Sequence, residues 1–314
     1  MGQACCVDFC DDFSALCFEL SACFRYKKKF SVEKYLNALP DDTTEIVVTG
    51  IDLTYLPDLS RFRNLRELWC SNNHLTALPT LPETLQRLFC GYNRLTSLPT
   101  LPENLESIVC NHNRLTALST LPENLEYLRC NRNLLRKLPE FNYRLRELYC
   151  GMNQLVTLPV LNNCLERLKC DNNQLTRLPK LNDNLRTLAC YNNQLTHLPE
   201  LNNWLKELYC HENALVTLPI LNDCLEKLHC DYKQLELFMV AGNLTPEKRE
   251  VINKLIRMRY KIMCLKYKKH FMKFLWDRVR RPKIEAKYHP SNLQRLLDSV
   301  ESEDVELMEV IECW

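Results

Sequence analysis

From residue 43 to about residue 238, apolar and polar positions recur in one phrase with a period of twenty residues. Its first full copy carries Leu65, Leu68, Cys70, Asn73, Leu75, Leu78, Pro79 and Leu81, and further copies begin at Leu85, Leu105, Leu125, Leu145, Leu165, Leu185 and Leu205. A truncated copy starts at Leu225 and fades near Phe238. Ahead of the first, Thr43, Ile46, Val48, Ile51, Leu53, Leu56 and Pro57 fit a degenerate unit of twenty-two residues, which brings the array to about ten units, eight of them full. Within each unit the segment equivalent to Arg66–Cys70 alternates, a period of two that predicts a half-buried strand with Leu68 and Cys70 inward and Glu67 and Trp69 outward. Strands one coil apart stack into a parallel sheet. The return segments read L-P-T-L-P-E-N early and L-P-x-L-N-x-x later; proline denies them an interior helix and favours extended or polyproline backbone. So narrow an outer side predicts a curved α/β solenoid with its sheet on the concave face.

Nine cysteines, Cys70, Cys90, Cys110, Cys130, Cys150, Cys170, Cys190, Cys210 and Cys230, hold the third inward position of successive units. They read as small buried hydrophobes rather than as a disulfide framework or a metal site, because one sulfur per coil does not make a clustered ligand set. Burial raises a thiol's pKa and makes it inert. A reduced ladder of this kind suits the cytoplasm. Asn73, Asn93, Asn113, Asn133, Asn153, Asn173, Asn193 and Asn213 follow at the turn, where a buried amide satisfies backbone groups left open by the bend. Lys233 breaks that column.

The spacing L-x-x-L-x-C-x-x-N-x-L at this period marks a leucine-rich repeat array. Over residues 43 to 238 the full phrase L-x-x-L-x-C-x-x-N-x-L-T-x-L-P-x-L-P-x-N resembles the short repeats of secreted bacterial effectors of the YopM and IpaH type. Its cysteine position and L-N-x-x return segments also resemble repeat proteins encoded by large DNA viruses. The resemblance implies a protein-binding solenoid in a host cytoplasm. In the IpaH-like ligases a large carboxy-terminal domain carries a C-x-D nucleophile. Here only about seventy residues follow the repeats, and neither Cys264 nor Cys313 precedes such an aspartate. Cys10-Asp11-Asp12 matches by letter, at the opposite end. Ligase chemistry is therefore not carried over, and the expectation is a protein that is not an enzyme; the alternatives are a substrate-recognition component of a ubiquitin ligase and a lipid-anchored scaffold.

Outward strand positions form columns on the inner face. One runs Trp69, Phe89, Val109, Arg129, Tyr149, Lys169, Ala189, Tyr209 and His229. A second runs Glu67, Arg87, Ser107, Tyr127, Glu147, Arg167, Thr187, Glu207 and Lys227, with Tyr92 and Tyr191 at the strand ends. Aromatic and arginine side chains dominate protein–protein hot spots, so Trp69, Phe89, Val109, Tyr127, Arg129, Tyr149, Lys169, Tyr191 and Tyr209 are the expected partner contacts. Trp69 and Phe89 could instead be core covered by the amino-terminal cap.

Three regions follow: residues 1–42 as a helical cap, 43–240 as the solenoid, and 241–314 as a helical end. Val7, Cys10, Phe13, Cys17, Leu20 and Phe24 recur at helical steps in the first. Met-Gly-Gln-Ala-Cys-Cys offers Gly2 for myristate and Cys5 or Cys6 for palmitate beside the basic Arg25, Lys27, Lys28 and Lys29, a route to membranes although Cys6 departs from the motif. No cleavable signal is expected. Thr245-Pro246-Glu247 is a helix start. From Thr245 to Lys287 fifteen Lys/Arg face four Asp/Glu, whereas Leu296–Trp314 holds seven acids and no Lys/Arg; an apolar stripe with a basic back is expected to close the last repeat. Overall the charge is +2 from 41 basic and 39 acidic residues, which argues against a nucleic-acid partner. With five glycines and no phosphate-cradling motif, no cofactor is expected, nor a small-molecule substrate.

Overall fold

A computed structural model of the protein describes residues 30–231 and 243–275. Ten three-residue strands follow one another: β1 Glu45–Val47, β2 Glu67–Trp69, β3 Arg87–Phe89, β4 Ser107–Val109, β5 Tyr127–Arg129, β6 Glu147–Tyr149, β7 Arg167–Lys169, β8 Thr187–Ala189, β9 Glu207–Tyr209 and β10 Lys227–His229. They form one parallel sheet in sequence order, in a register that pairs each apolar centre with the next, Leu68 with Leu88, Leu88 with Ile108 and so on. No helix interrupts the return segments between β1 and β10, in keeping with their prolines.

Leu65, Leu68, Cys70 and Leu75 and their counterparts are buried throughout the array and form one continuous core with the return-side leucines. Sulfur takes the place of an aliphatic side chain in that spine. All nine ladder thiols are free and buried. Burial pushes Cys70 and Cys110 up to about 12 and Cys230 up to about 11. It holds Cys90, Cys130, Cys150, Cys190 and Cys210 well above the ordinary thiol value, with neighbouring rungs adding to the effect. By contrast Cys164 is exposed and Cys224 half-buried. Iodoacetamide applied to the folded protein, with peptide mass spectrometry as readout, is expected to alkylate Cys164 first among the described cysteines and Cys224 more slowly. The ladder thiols should react only in denaturant. Rapid modification of native Cys130 would mean that water reaches the spine.

Each coil ends its strand in a left-handed residue followed by the ladder asparagine. Asn72, Tyr92, His112, Arg132, Met152, Asn172, Asn192 and Glu212 hold φ between 49° and 56°, a region costly to side chains other than glycine, asparagine or aspartate. The next residue fixes that bend. Asn73 Nδ2 donates to the carbonyls of Val48 (2.7 Å) and Cys70 (3.0 Å), while its Oδ1 accepts from the Leu53 N–H (3.0 Å) of the preceding coil. Asn133 repeats the pattern with Cys110, Cys130 and Leu115. Lys233, expected to end the column, lies outside the described residues.

A second asparagine ladder runs along the return side. Asn142, Asn162, Asn182 and Asn202 donate Nδ2 to the carbonyls of Leu125, Leu145, Leu165 and Leu185, each at 3.0 Å, and also to the carbonyl twenty residues earlier. These asparagines replace the prolines at 82, 102 and 122 of the early coils.

Helix α1, Val32–Ala38, closes the amino-terminal side. Ser31 caps it by accepting from the Lys34 N–H, Val32 and Leu36 enter the core, and Arg61 ties its end by donating to the carbonyls of Leu36 and Leu39. The expected stripe from Val7 to Phe24 lies outside the described residues. At the other end, helix α2 spans Pro246–Leu275, with Thr245 Oγ1 accepting from the Lys248 N–H as its cap. The chain divides into two compact units, Met1–Ile256 and Arg257–Trp314, so the first turns of α2 belong with the solenoid. Ile252 is buried and Ile256 packs on the core. Asn253 both donates to and accepts from the Leu221 backbone at 2.9 Å, and Arg249 donates to the Leu225 carbonyl. The expected closure of the last repeat begins with these contacts. Residues 276–314, with the acidic tail, lie outside the described residues. No described helix is long and apolar enough to cross a membrane.

Candidate protein-binding face

Because every strand is in register, side chains twenty residues apart lie side by side on the open face of the sheet, one rung of about 4.8 Å from the next. Trp69 and Phe89 use that spacing to stack face to face, ring centres 3.8 Å apart and 14° from parallel. The Trp69 indole N–H donates to Glu67 at 3.1 Å, and Glu67 in turn pairs with Arg87 at 2.7 Å. Both rings are half-buried, as is Val109 beside them. The amino-terminal cap that would cover them lies outside the described residues up to Phe30.

Further along, the structure corrects one expectation. Tyr149 does not stand free on the face: only 9% of it is exposed. Arg129 lies 5.0 Å from its ring centre on one side and Lys169 4.8 Å on the other, Tyr127 packs against it at 5.6 Å, and its hydroxyl donates to Glu147 at 2.8 Å. Burial, and then Glu147, push its phenol above the ordinary tyrosine value. The charged ends of side chains from the two adjacent rungs lie over the ring and hide it. Ala189 is buried as well, so the middle of the face presents Arg129, Lys169 and Tyr127 rather than Tyr149.

Near the far end Tyr209 stacks on His229 at 4.8 Å and Tyr191 on His211 at 4.6 Å, the two imidazoles being 6.4 Å apart. Burial, the neighbouring His211 and Lys227 hold the His229 imidazole below its ordinary value. Three ion pairs brace the second column rung to rung, Glu67–Arg87, Glu147–Arg167 (2.9 Å) and Glu207–Lys227 (2.7 Å). As partly exposed pairs they contribute little to stability, but they fix the side chains flanking the aromatic column. Unlike charges of that column thus pair with one another.

Of the nine predicted contact residues, Trp69, Phe89, Val109, Tyr127, Arg129, Lys169 and Tyr209 share the open face, Tyr191 sits at its rim, and Tyr149 lies beneath its neighbours. Sequence reading named the aromatics but missed their pairing with the histidines; His211 and His229, placed twenty residues after Tyr191 and Tyr209, were the available signal. Gly2, Cys5 and Cys6 lie outside the described residues, as does Cys313. Among the described residues no group of three or more His, Cys, Asp or Glu is placed to hold a metal.

No protein-family model matches the chain, and no curated protein matches it. Solved structures do. YopM from Yersinia enterocolitica WA-314 is 30% identical with a TM-score of 0.55, over 62% of this chain and 47% of that one, so the chain spans about half its length. YopM from Yersinia pestis, a leucine-rich effector protein, is 29% identical with a TM-score of 0.55, over 68% and 69% of the two chains. Together with the twenty-residue coils and parallel ladder, this decides the class. The fold is a short-repeat leucine-rich repeat solenoid. A more distant neighbour of this leucine-rich repeat protein, FLRT2 in an octameric complex with Latrophilin 3 and Unc5D, is 20% identical with a TM-score of 0.51 over 58% and 64% of the chains, and shares the fold alone. The likeness of these neighbours is one of fold. They lend no support to a viral resemblance.

Proposed function

We propose that this leucine-rich repeat protein is a cytoplasmic, non-enzymatic module that holds a partner protein, of host origin if the effector likeness extends to function, on the open face of β2–β9. The observation that carries this reading is the Trp69–Phe89 stack. Two large rings, held parallel by the rung spacing and anchored through Glu67, present a rigid apolar surface on the solvent side of a sheet whose core is already filled by leucine and cysteine. Rigid aromatics lose little freedom on binding, and aromatic side chains outside the core of a sheet are of the type that dominates protein–protein contacts. The Tyr209–His229 pair supplies a second anchor of the same design at the other end. Neither the ligase-linked nor the lipid-anchored reading gains an observation from the described residues.

Proximity labelling in the native cell tests the reading. Trp69→Ala/Phe89→Ala and Tyr209→Ala are expected to lose the same set of labelled proteins, with binding weakened at least about thirtyfold for anchors of hot-spot strength. Val160→Ala, on the return side at 77% exposure, serves as the control and should leave the set unchanged. An unchanged set in the face variants, or equal loss in the control, would overturn the proposal.

A further inference from the structure

Stacking in register also sorts charge across the width of the solenoid. In the coils of β2–β5, the edge where the strands end, residues 71–78, 91–98, 111–118 and 131–138, carries Arg94, Arg114, Arg132, Arg136 and Lys137 and no Asp or Glu. Where β3–β5 begin, residues 79–86, 99–106 and 119–126, the opposite edge carries Glu83, Glu103, Glu106, Glu123 and Glu126 and no Lys or Arg, whereas ahead of β2 it carries Arg61, Arg63 and Arg66. The five glutamates and the five basic side chains of the strand-end edge are all exposed. The sorting is confined to these coils: farther along, Asp171 and Arg177 share one edge, and Lys180, Asp183 and Arg186 the other.

Elsewhere the protein pairs unlike charges from rung to rung, as in Glu67–Arg87 or Arg146 between Glu126 and Glu166. On the strand-end edge it does the opposite. Arg94 and Arg114 occupy the same position of successive coils, their N–H groups donating to Leu75 and Leu95, so two guanidinium groups emerge one rung apart. Like charges set side by side on neighbouring strands repel, and among the described residues none of the five basic side chains forms an ion pair. Arg132 emerges from a left-handed residue whose backbone is pinned by the asparagine ladder, so the row is presented on a fixed frame. Beside it stands the half-exposed Tyr92, stacked on His112 at 4.0 Å.

We infer that this edge docks an acidic, extended protein segment, with the carboxylates of that segment set between Arg94, Arg114 and Arg132. Arginine forks match carboxylates in bidentate geometry, and four rungs span roughly four to five residues of extended chain. The opposite edge decides the class of occupant. Five glutamates across the same coils repel a bulky polyanion such as a nucleic-acid duplex, whereas a single acidic peptide strand covers the basic edge without meeting them. This edge is distinct from the open face, and the inference does not depend on the role proposed for that face.

The test uses the full chain and a fluorescein-labelled peptide of alternating Glu and Ser that carries a benzophenone group. A Gln-for-Glu peptide and a labelled oligouridylate serve as comparisons. The Glu peptide is expected to bind, to weaken steeply between about 0.05 and 0.3 M salt, and to cross-link within residues 91–138. Arg94→Glu/Arg114→Glu/Arg132→Glu is expected to weaken it at least about tenfold and the milder triple Gln variant about threefold, the scale of several exposed charge pairs. Trp69→Ala/Phe89→Ala should leave it unchanged. Absence of binding, full binding by the charge-reversed variant, cross-links confined to residues 246–275, or oligouridylate binding as tight as the peptide would each overturn the inference. Loss of binding in the Trp69/Phe89 variant would overturn it too, by moving the peptide to the open face and leaving the proposal for that face standing.

Discussion

Asn133→Ala is expected to cost about 3–5 kcal/mol of folding stability, far more than an ordinary polar truncation. The amide is buried at the centre of the array, where Nδ2 donates to the carbonyls of Cys110 (3.0 Å) and Cys130 (2.9 Å) and Oδ1 accepts from the Leu115 N–H (3.0 Å). Alanine leaves that N–H without a partner in a dry interior and removes one of the two amide donors on each carbonyl, since Asn113 and Asn153 supply the others. An unsatisfied buried group costs about 1–3 kcal/mol, and here several bonds go at once. The preceding residue, Arg132, also loses the contacts that hold it left-handed at φ 55°. Urea denaturation followed by circular dichroism measures the loss. Asn133→Asp should fare no better, because it keeps the acceptor but loses the donors and buries a charge. A cost below about 1 kcal/mol would mean that the ladder is ornament on a sheet held by leucine alone.

Leu128→Ala should cost about 2–5 kcal/mol and should also change the form of the unfolding transition. Leu128 is fully enclosed between Ile108 and Leu148 of the adjoining rungs, and the cavity left by alanine faces other rigid rungs that cannot collapse into it. In a solenoid each coil contacts only its neighbours, so stability is a sum of coil and interface terms and a central lesion weakens the link between two halves. Trp69 lies in β2 and Trp204 just ahead of β9, and with the other tryptophans replaced each reports on its own side. In the parent the two fluorescence transitions should coincide. In Leu128→Ala they should separate. Coincident, merely shifted curves would show that the array melts as one unit despite its linear design.

Much of this architecture was legible from periodicity. Leucine, cysteine and asparagine columns at an interval of twenty dictate strand, spine and turn because their physical roles are local and repeat identically. What escaped depended on groups brought together across rungs. Period-two alternation places Tyr149 on the open side of the sheet, but it does not report that Arg129 and Lys169, each twenty residues away, fold over its ring. The return-side asparagines from Asn142 to Asn222 were visible as spelling; their bonding was hidden because a segment without secondary structure gives no hint of which carbonyls approach it. Helix α1 is seven residues long, too short for a hydrophobic period, and only Ser31 and Glu33 mark its start. At the far end the Thr245-Pro246 start was read correctly because capping chemistry is local.

The left-handed turn residue has a consequence for how such a protein can diverge. At that position the described coils tolerate Asn, Tyr, His, Arg, Met and Glu with φ within a few degrees of one another, because the neighbouring amide, and not the residue itself, enforces the bend. Its side chain meets its own counterpart one coil away, as in the Tyr92–His112 stack and the Asn192–Asn172 hydrogen bond, so changes there can rewrite the chemistry displayed along one margin while the spine stays as it was. Novel binding preferences would then be acquired by adjacent coils together, each substitution matched to the one beside it.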